Sequence, residues 1–211
     1  YAPQSKEDSD IFNRFVLAGY DLVQTWEGFV YHMTSRGSRF KDGAMRNPAG
    51  QVFMKGREST EWLEQNLRST RNFIRKWGHM VKHDKMMFPI IPPKYDIGFV
   101  VKNCDSKMLR ELEPWCSTIY TDCEYDDYIK EEQRNTAFNL SDRIKPYDNE
   151  KNNDIIVKFD AKMLNANNFQ VIVNLSEMFK DSAEVGEMEY DVFHFDINSL
   201  ETYEKDLIIR E

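Results

Sequence analysis

The sequence predicts an α/β fold whose C-terminal half is a small three-layer domain on a mostly parallel sheet, and three observations carry that reading. Strand-like apolar runs alternate with helical segments from Tyr95 onward, the pattern of strand–helix–strand units. Residues 86–93 hold three prolines within five positions, which cannot continue a helix, so they separate a segment 1–85 from a segment 94–211. With 211 residues, 41% apolar and 13% aromatic, the chain has enough apolar surface for one generous core or two small ones.

The first segment opens with a helix over residues 8–18. Ile11, Phe12, Phe15 and Val16 form an apolar stripe, Asp8 stands where a cap belongs, and Gly19 is placed to end the helix in the left-handed conformation. Residues 22–25 and 28–32 have the β-branched and aromatic content of two short strands, with Trp26-Glu27-Gly28 as their turn. Beyond His32 the residues to about Gly56 read as a surface loop rich in Gly, Asn and Pro. Residues 58–77 then carry Trp62, Leu63, Leu67, Thr70, Ile74 and Trp77 at helical spacing, with Ser59 or Thr60 as cap and Gly78 as stop.

In the second segment, residues 95–101 read as a buried strand, 105–113 as a helix capped by Asp105, and 117–120 as a second strand. Residues 125–135 read as another helix and 141–153 as polar and turn-like. The pattern repeats with a strand over 154–159, an apolar-faced helix over 169–179 and a strand over 188–195.

Charge and cysteine content narrow the function classes. A net charge of −8 argues against a nucleic-acid partner, which needs Lys and Arg clustered over a whole face. No stretch reaches the roughly 18 to 20 apolar residues of a membrane span, and no secretory signal opens the chain, so a cytoplasmic protein is expected. Cys104, Cys116 and Cys123 are odd in number and lack a Cys-x-x-Cys pair, which reads as reduced thiols. The start at Tyr1 reads as a fragment or a processed chain.

The chemistry-bearing candidates concentrate at the start. Glu7, Asp8 and Asp10 put three carboxylates in four residues at a helix N-terminus, where negative charge is favoured and can face a cleft. The plain alternative is that Asp8 only caps the helix. Trp26, beside the turn, reads locally as a packing residue. Ser35, Arg36 and Arg39 read locally as a solvated basic loop. His79 and His83, four apart, form a weak metal pair without a third ligand, and Asp122, Glu124, Asp126 and Asp127 an acidic cluster after a strand.

Glu7-Asp8-Ser9-Asp10-Ile11-Phe12-Asn13-Arg14, then Ala18-Gly19-Tyr20, then Val30-Tyr31-His32 with a small-residue loop behind it, resembles the second half of a family 2 glycosyltransferase domain of the GT-A type. The likeness covers about the first forty residues, and the helix to Trp77 extends it. It implies that Asp8 is the general base for an acceptor hydroxyl, that Glu7 and Asp10 bind the acceptor, that Trp26 stacks on a sugar face, that Ser35, Arg36 and Arg39 hold the leaving diphosphate, where positive charge stabilises the developing anion, and that His32 ligates a divalent metal, Mn2+ or Mg2+. The partners it implies are a nucleotide-sugar donor and a glycan acceptor. The family's donor-binding half and its Asp-x-Asp motif have no counterpart in these residues. Asp8-Ser9-Asp10 is a nominal one but stands in the acceptor motif, so the chain alone is expected to bind donor poorly. Two other readings stand beside this one: a non-catalytic α/β interaction module carrying a relic transferase segment, and nucleotide binding by the second segment.

Overall fold

The computed structural model describes residues 6–28, 39–42, 44–46, 52–53 and 59–208. Helix α1 spans Glu7–Leu17, with Gly19 left-handed behind it at φ 84°. Lys6 precedes it in a left-handed conformation without a side-chain cap, so Asp8 lies in the first turn and is not the cap. Residues 22–25 do not form the expected strand. Their polar groups bond elsewhere: the Gln24 amide donates to Met86 O at 3.1 Å, and Thr25 Oγ1 accepts from Glu27 N at 3.0 Å. Beyond Gly28, the strand expected over 28–32 lies outside the described residues.

The stretch read as a loop contains a small antiparallel sheet, β1 (Arg39–Lys41), β2 (Ala44–Arg46) and β3 (Val52–Phe53). Helix α2, Thr60–Trp77, starts and stops as its sequence dictates: Ser59 Oγ accepts from Trp62 N, and Gly78 closes it at φ 77°. It holds the small sheet through Gln65, whose amide accepts from Val52 N at 3.0 Å and donates to Val52 O at 3.2 Å, as a neighbouring strand would. Arg46 and Glu61 add a two-pronged ion pair at 2.7 and 2.9 Å.

The main sheet has six strands: β4 (Ile97–Lys102), β5 (Thr118–Thr121), β6 (Ile144–Pro146), β7 (Ile155–Asp160), β8 (Gly186–Tyr190) and β9 (Phe193–Ile197), in the order β6-β5-β4-β7-β9-β8. The first four are parallel and β9 runs antiparallel to both neighbours, which makes the sheet mostly parallel. Helix α3 (Ser106–Leu112) joins β4 to β5, capped as expected by Asp105, which accepts from Met108 N at 2.7 Å. Helices α4 (Asp126–Glu132) and α5 (Leu140–Arg143) lead into β6, a short strand hidden in the stretch read as turn-like. The expected helix over 169–179 is two helices, α6 (Phe169–Val173) and α7 (Leu175–Ser182), separated at Asn174. The single strand expected over 188–195 is instead a hairpin, the end of β8 and the start of β9 joined by a turn at Asp191 with φ 53°. No helix among the described residues is long and apolar enough to cross a membrane.

Strand alternation sorts side chains onto two unequal faces. Phe99, Val101, Ile119, Ile155, Val157 and Phe195 join one core cluster with apolar residues of α2 through α7. Val100, Tyr120 and Ile156 point the other way, where Tyr147 packs on them. Among the described residues the helices therefore bank on one face, and a stretch of chain lies where the third layer was expected. Strands β6 and β7 are both parallel to β4 but lie on opposite sides of it, so residues 147–154 must cross the sheet. The Lys151 ammonium sits 5.5 Å from the Tyr120 ring and 5.4 Å from that of Tyr147, which puts the crossing on the reverse face. Asn153 then lies on Gly98, where a Cβ would come 2.4 Å from its Oδ1.

Helix α2 precedes the proline-rich stretch, yet a buried ion cluster packs it into the sheet's helical layer. Arg75 and Glu113, 2% and 0% exposed, meet at 2.7 Å, and Arg75 also reaches the 1%-exposed Glu132 at 3.0 Å. Glu113 further accepts from Arg143 Nε at 2.5 Å and from the Tyr128 hydroxyl at 3.0 Å, while Arg71 forks onto Glu132 at 2.8 Å. Breaking such a pair from one side strands a buried charge. Glu113→Gln or Arg75→Met is expected to destabilise the protein by about 3–5 kcal/mol in denaturant melts; a loss within 1 kcal/mol of zero, on the order of a surface pair, would contradict this.

The same groups set the acid limit. Burial disfavours charge on Glu113, but Arg143 and Arg75 outweigh it and hold the carboxyl below its ordinary range. Burial likewise opposes charge on Glu132, and Arg71 and Arg75 outweigh it. Burial holds the His79 imidazole below its usual value near 6.5. In each case the unfolded chain takes up protons at higher pH than the folded one, so stability present at neutral pH is lost on acidification. Urea melts should show a first decline below about pH 6.5 from His79 and a steeper one below about pH 4.5 from the glutamates; stability unchanged between pH 7 and 3 would contradict both assignments.

Candidate functional site

The C-terminal end of α2 positions α1. Asp10, 9% exposed, accepts from Trp77 Nε1 at 2.8 Å and pairs with Lys76 Nζ at 2.7 Å, and Asn13, a turn later, is 3% exposed. The polar side of α1 is thus its buried side. Its apolar stripe faces outward, with Ile11, Phe12, Phe15 and Val16 each 37–45% exposed.

Opposite this stripe, residues 81–90 fold into a braced hairpin-like loop. Asp84 Oδ1 accepts from Met86 N at 2.8 Å and Phe88 N at 2.9 Å, Asp84 N bonds Phe88 O, and Ile90 N bonds Lys82 O. Met87 at the tip has φ 68°. Between this loop, α1 and residues 20–24 lies a cleft of about 650 Å³, within the range of small-ligand sites. Phe12, Phe15, Val23, Met87 and Phe88 supply apolar wall, while Asp8, Ser9 and His83 supply polar groups. The Gln24–Met86 bond straps two of its sides.

The expected site residues separate on this framework. Asp8 lines the cleft from an exposed first turn, and no described residue bonds its carboxylate. Glu7 is exposed in the same turn. Asp10, expected to bind the acceptor, has its carboxylate turned inward, where it ties α1 to α2. Trp26 is fully exposed and outside the cleft lining. Arg39 belongs to β1. His32, Ser35 and Arg36 lie outside the described residues, so the expected Mn2+ or Mg2+ ligand and most of the expected diphosphate site do as well.

His79 and His83 do not form a metal pair, because both follow the helix stop. His79 is 1% exposed with Nδ1 2.6 Å from Met80 O, whereas His83 is exposed in the loop. On the open face of the hairpin, Glu187, His194 and Asp196 hold donor atoms within 4.8 Å of one another. Lys158, however, already pairs with Asp196 across the strands, and His194 Nε2 lies 2.9 Å from Asp196 Oδ1 along one strand, so two of the three groups are already engaged.

The strand order reverses between β4 and β7, the place where open α/β sheets hold ligands. There the Asn103 side chain donates to Asp160 at 2.7 Å, and Asp122 accepts from the backbone N–H groups of Asn103 and Cys104 at 2.7 and 3.1 Å. Carboxylates consume the donors that a nucleotide phosphate would need, which weighs against nucleotide binding at this edge.

No protein-family model, curated protein or solved structure matches this chain. The cleft's far wall was missed at the sequence level because Met86-Met87-Phe88 reads as a linker; the signal available was an apolar run beside Asp84, a residue type that brings N–H groups into a turn. Asp10→Ala should release α1 alone. Hydrogen exchange of residues 7–17 should accelerate at least about tenfold, in line with roughly 1–3 kcal/mol for an orphaned buried donor, while the β4 amides keep their protection; unchanged protection of α1 would contradict the anchor.

Proposed function

We propose that the α1 cleft is the acceptor side of a sugar-transfer site, with Asp8 as general base. The observation that carries the reading is the Asp8 carboxylate on the first turn of α1, exposed at a ligand-sized cleft and unbonded by any described residue. A sugar hydroxyl is a poor nucleophile. A carboxylate within hydrogen-bond reach takes its proton as the oxygen bonds to the anomeric carbon and the bond to the leaving diphosphate breaks. Glu7, in the same turn, hydrogen-bonds the acceptor, and the aromatic wall offers apolar faces to sugar rings. The donor is a nucleoside-diphosphate sugar and the acceptor a glycan or other hydroxyl compound. A divalent cation would neutralise the leaving diphosphate.

A second reading is favoured by the outward apolar face of α1 together with Met86, Met87 and Ile90, which are 70%, 64% and 46% exposed. Contiguous apolar surface of this kind marks interaction sites, as in a non-catalytic module. Turnover of nucleoside-diphosphate sugars by a full-length protein that includes a donor-binding half, and by its Asp8→Asn variant, separates the two. The base role predicts a loss of about 10²- to 10⁴-fold in kcat with an unaltered melting profile; equal turnover by the two proteins would exclude Asp8 as the base.

A further inference from the structure

The cleft beside α1 has a polar end and an apolar body. Asp8, Phe12 and Phe15 line it from one helix face, at the i, i+4, i+7 spacing, so the lining passes from a carboxylate in the first turn to aromatic rings in the next two. Val23 lines it from the segment after α1, and Met87 and Phe88 from the loop, so every element around the cleft presents apolar side chains to it. Several polar groups at its walls are committed elsewhere: Asn13 is 3% exposed, the Gln24 amide donates to Met86 O, and Lys82 pairs with Glu177. A sugar ring can lie flat on one phenyl group, but its hydroxyl edge needs hydrogen-bond partners that walls of this composition do not supply. Phe12, Phe15, Val23 and Met87 are between 41% and 81% exposed, apolar area that an apolar ligand takes out of water.

We infer that the cleft takes a hydroxyl compound carrying a single apolar chain, with the hydroxyl at Asp8 and the chain along Phe12 and Phe15, against Val23 and Met87. The seven residues from Asp8 to Phe15 advance about 10 Å along the helix, the reach of an octyl chain. The cleft volume of about 650 Å³ holds such a chain together with its head group. Because the Gln24–Met86 bond ties the segment after α1 to the loop, the slot is formed before the ligand arrives. Few polar groups suffice to orient a ligand of this class, since the chain supplies affinity and the first turn of α1 fixes the hydroxyl. That the ligand is the acceptor of sugar transfer rests on the general-base role proposed for Asp8; within that role it selects an amphiphilic acceptor over a free glycan.

The test is calorimetric titration of the chain with glucose and with hexyl, octyl and decyl β-glucoside, each below its micelle concentration, alongside sedimentation with phosphatidylcholine vesicles. Each added CH2 should tighten binding about two- to fourfold, and glucose should give no binding heat. Phe15→Ser and Met87→Ser should each weaken octyl glucoside about fivefold or more, while Val16→Ser, on α1 but outside the cleft, should leave it unchanged. All three are surface side chains, so the variants keep the fold. Affinity independent of chain length, an equal loss in Val16→Ser, or binding to vesicles without binding to the single glucosides would overturn the inference. The titration needs no turnover, so the two readings fail separately. Chain-length dependence in a protein whose full-length Asp8→Asn variant turns over normally would uphold this ligand and exclude the base role. Turnover lost in that variant, without chain-length dependence, would uphold the base role and overturn this ligand.

Discussion

Glu113 is a fully buried carboxylate, and the arrangement of the helical layer follows from supplying it with partners. Its oxygens accept from Arg75 of α2, Arg143 at the end of α5 and Tyr128 of α4. A charge so enclosed is tolerable only when its partners are in place together, so the cluster admits few alternative packings. It also explains why α2 behaves as part of the sheet domain although a proline-rich stretch separates them in sequence.

The cleft inherits its geometry from that fixture. Once Arg75 is set, the end of α2 is set, and Trp77 and Lys76 receive Asp10. Lys94, beyond the proline-rich stretch, donates to the carbonyls of Lys76 and Arg75 at 2.5 and 3.4 Å, satisfying acceptors that a helix end leaves open. With Asp10 inward, α1 has one orientation left: its phenylalanines line a cleft and Asp8 stands at its edge. A core-type interaction thus decides where a candidate catalytic carboxylate is presented.

Local signals in the sequence were read well, and long-range compensation was not. The strands around Phe99, Ile119 and Val157, and the caps Ser59, Gly78 and Asp105, stand where local chemistry puts them. The α1 stripe of Ile11, Phe12, Phe15 and Val16 implied a core-facing side, but Asp10 and Asn13 are buried instead because distant residues satisfy them. Leu63 and Leu67 in α2 likewise are half-exposed while Gln65 and Arg75 are buried. No periodicity of apolar residues reveals a buried arginine, whose partners lie 38 and 57 residues away. At the site, the helix that carries Asp8 was legible in the sequence. The opposing loop needed the topology of the fold.

The most direct measurement is native-state hydrogen exchange across increasing denaturant, comparing amides of α2 with those of β4. If the Glu113 cluster makes them one cooperative unit, residues 69–77 and 97–102 will converge on a single opening free energy, the global one. Exchange of α2 through a separate opening, several kcal/mol cheaper than that of β4, would show that the helix is only appended to the sheet and that the ion cluster does not govern the fold.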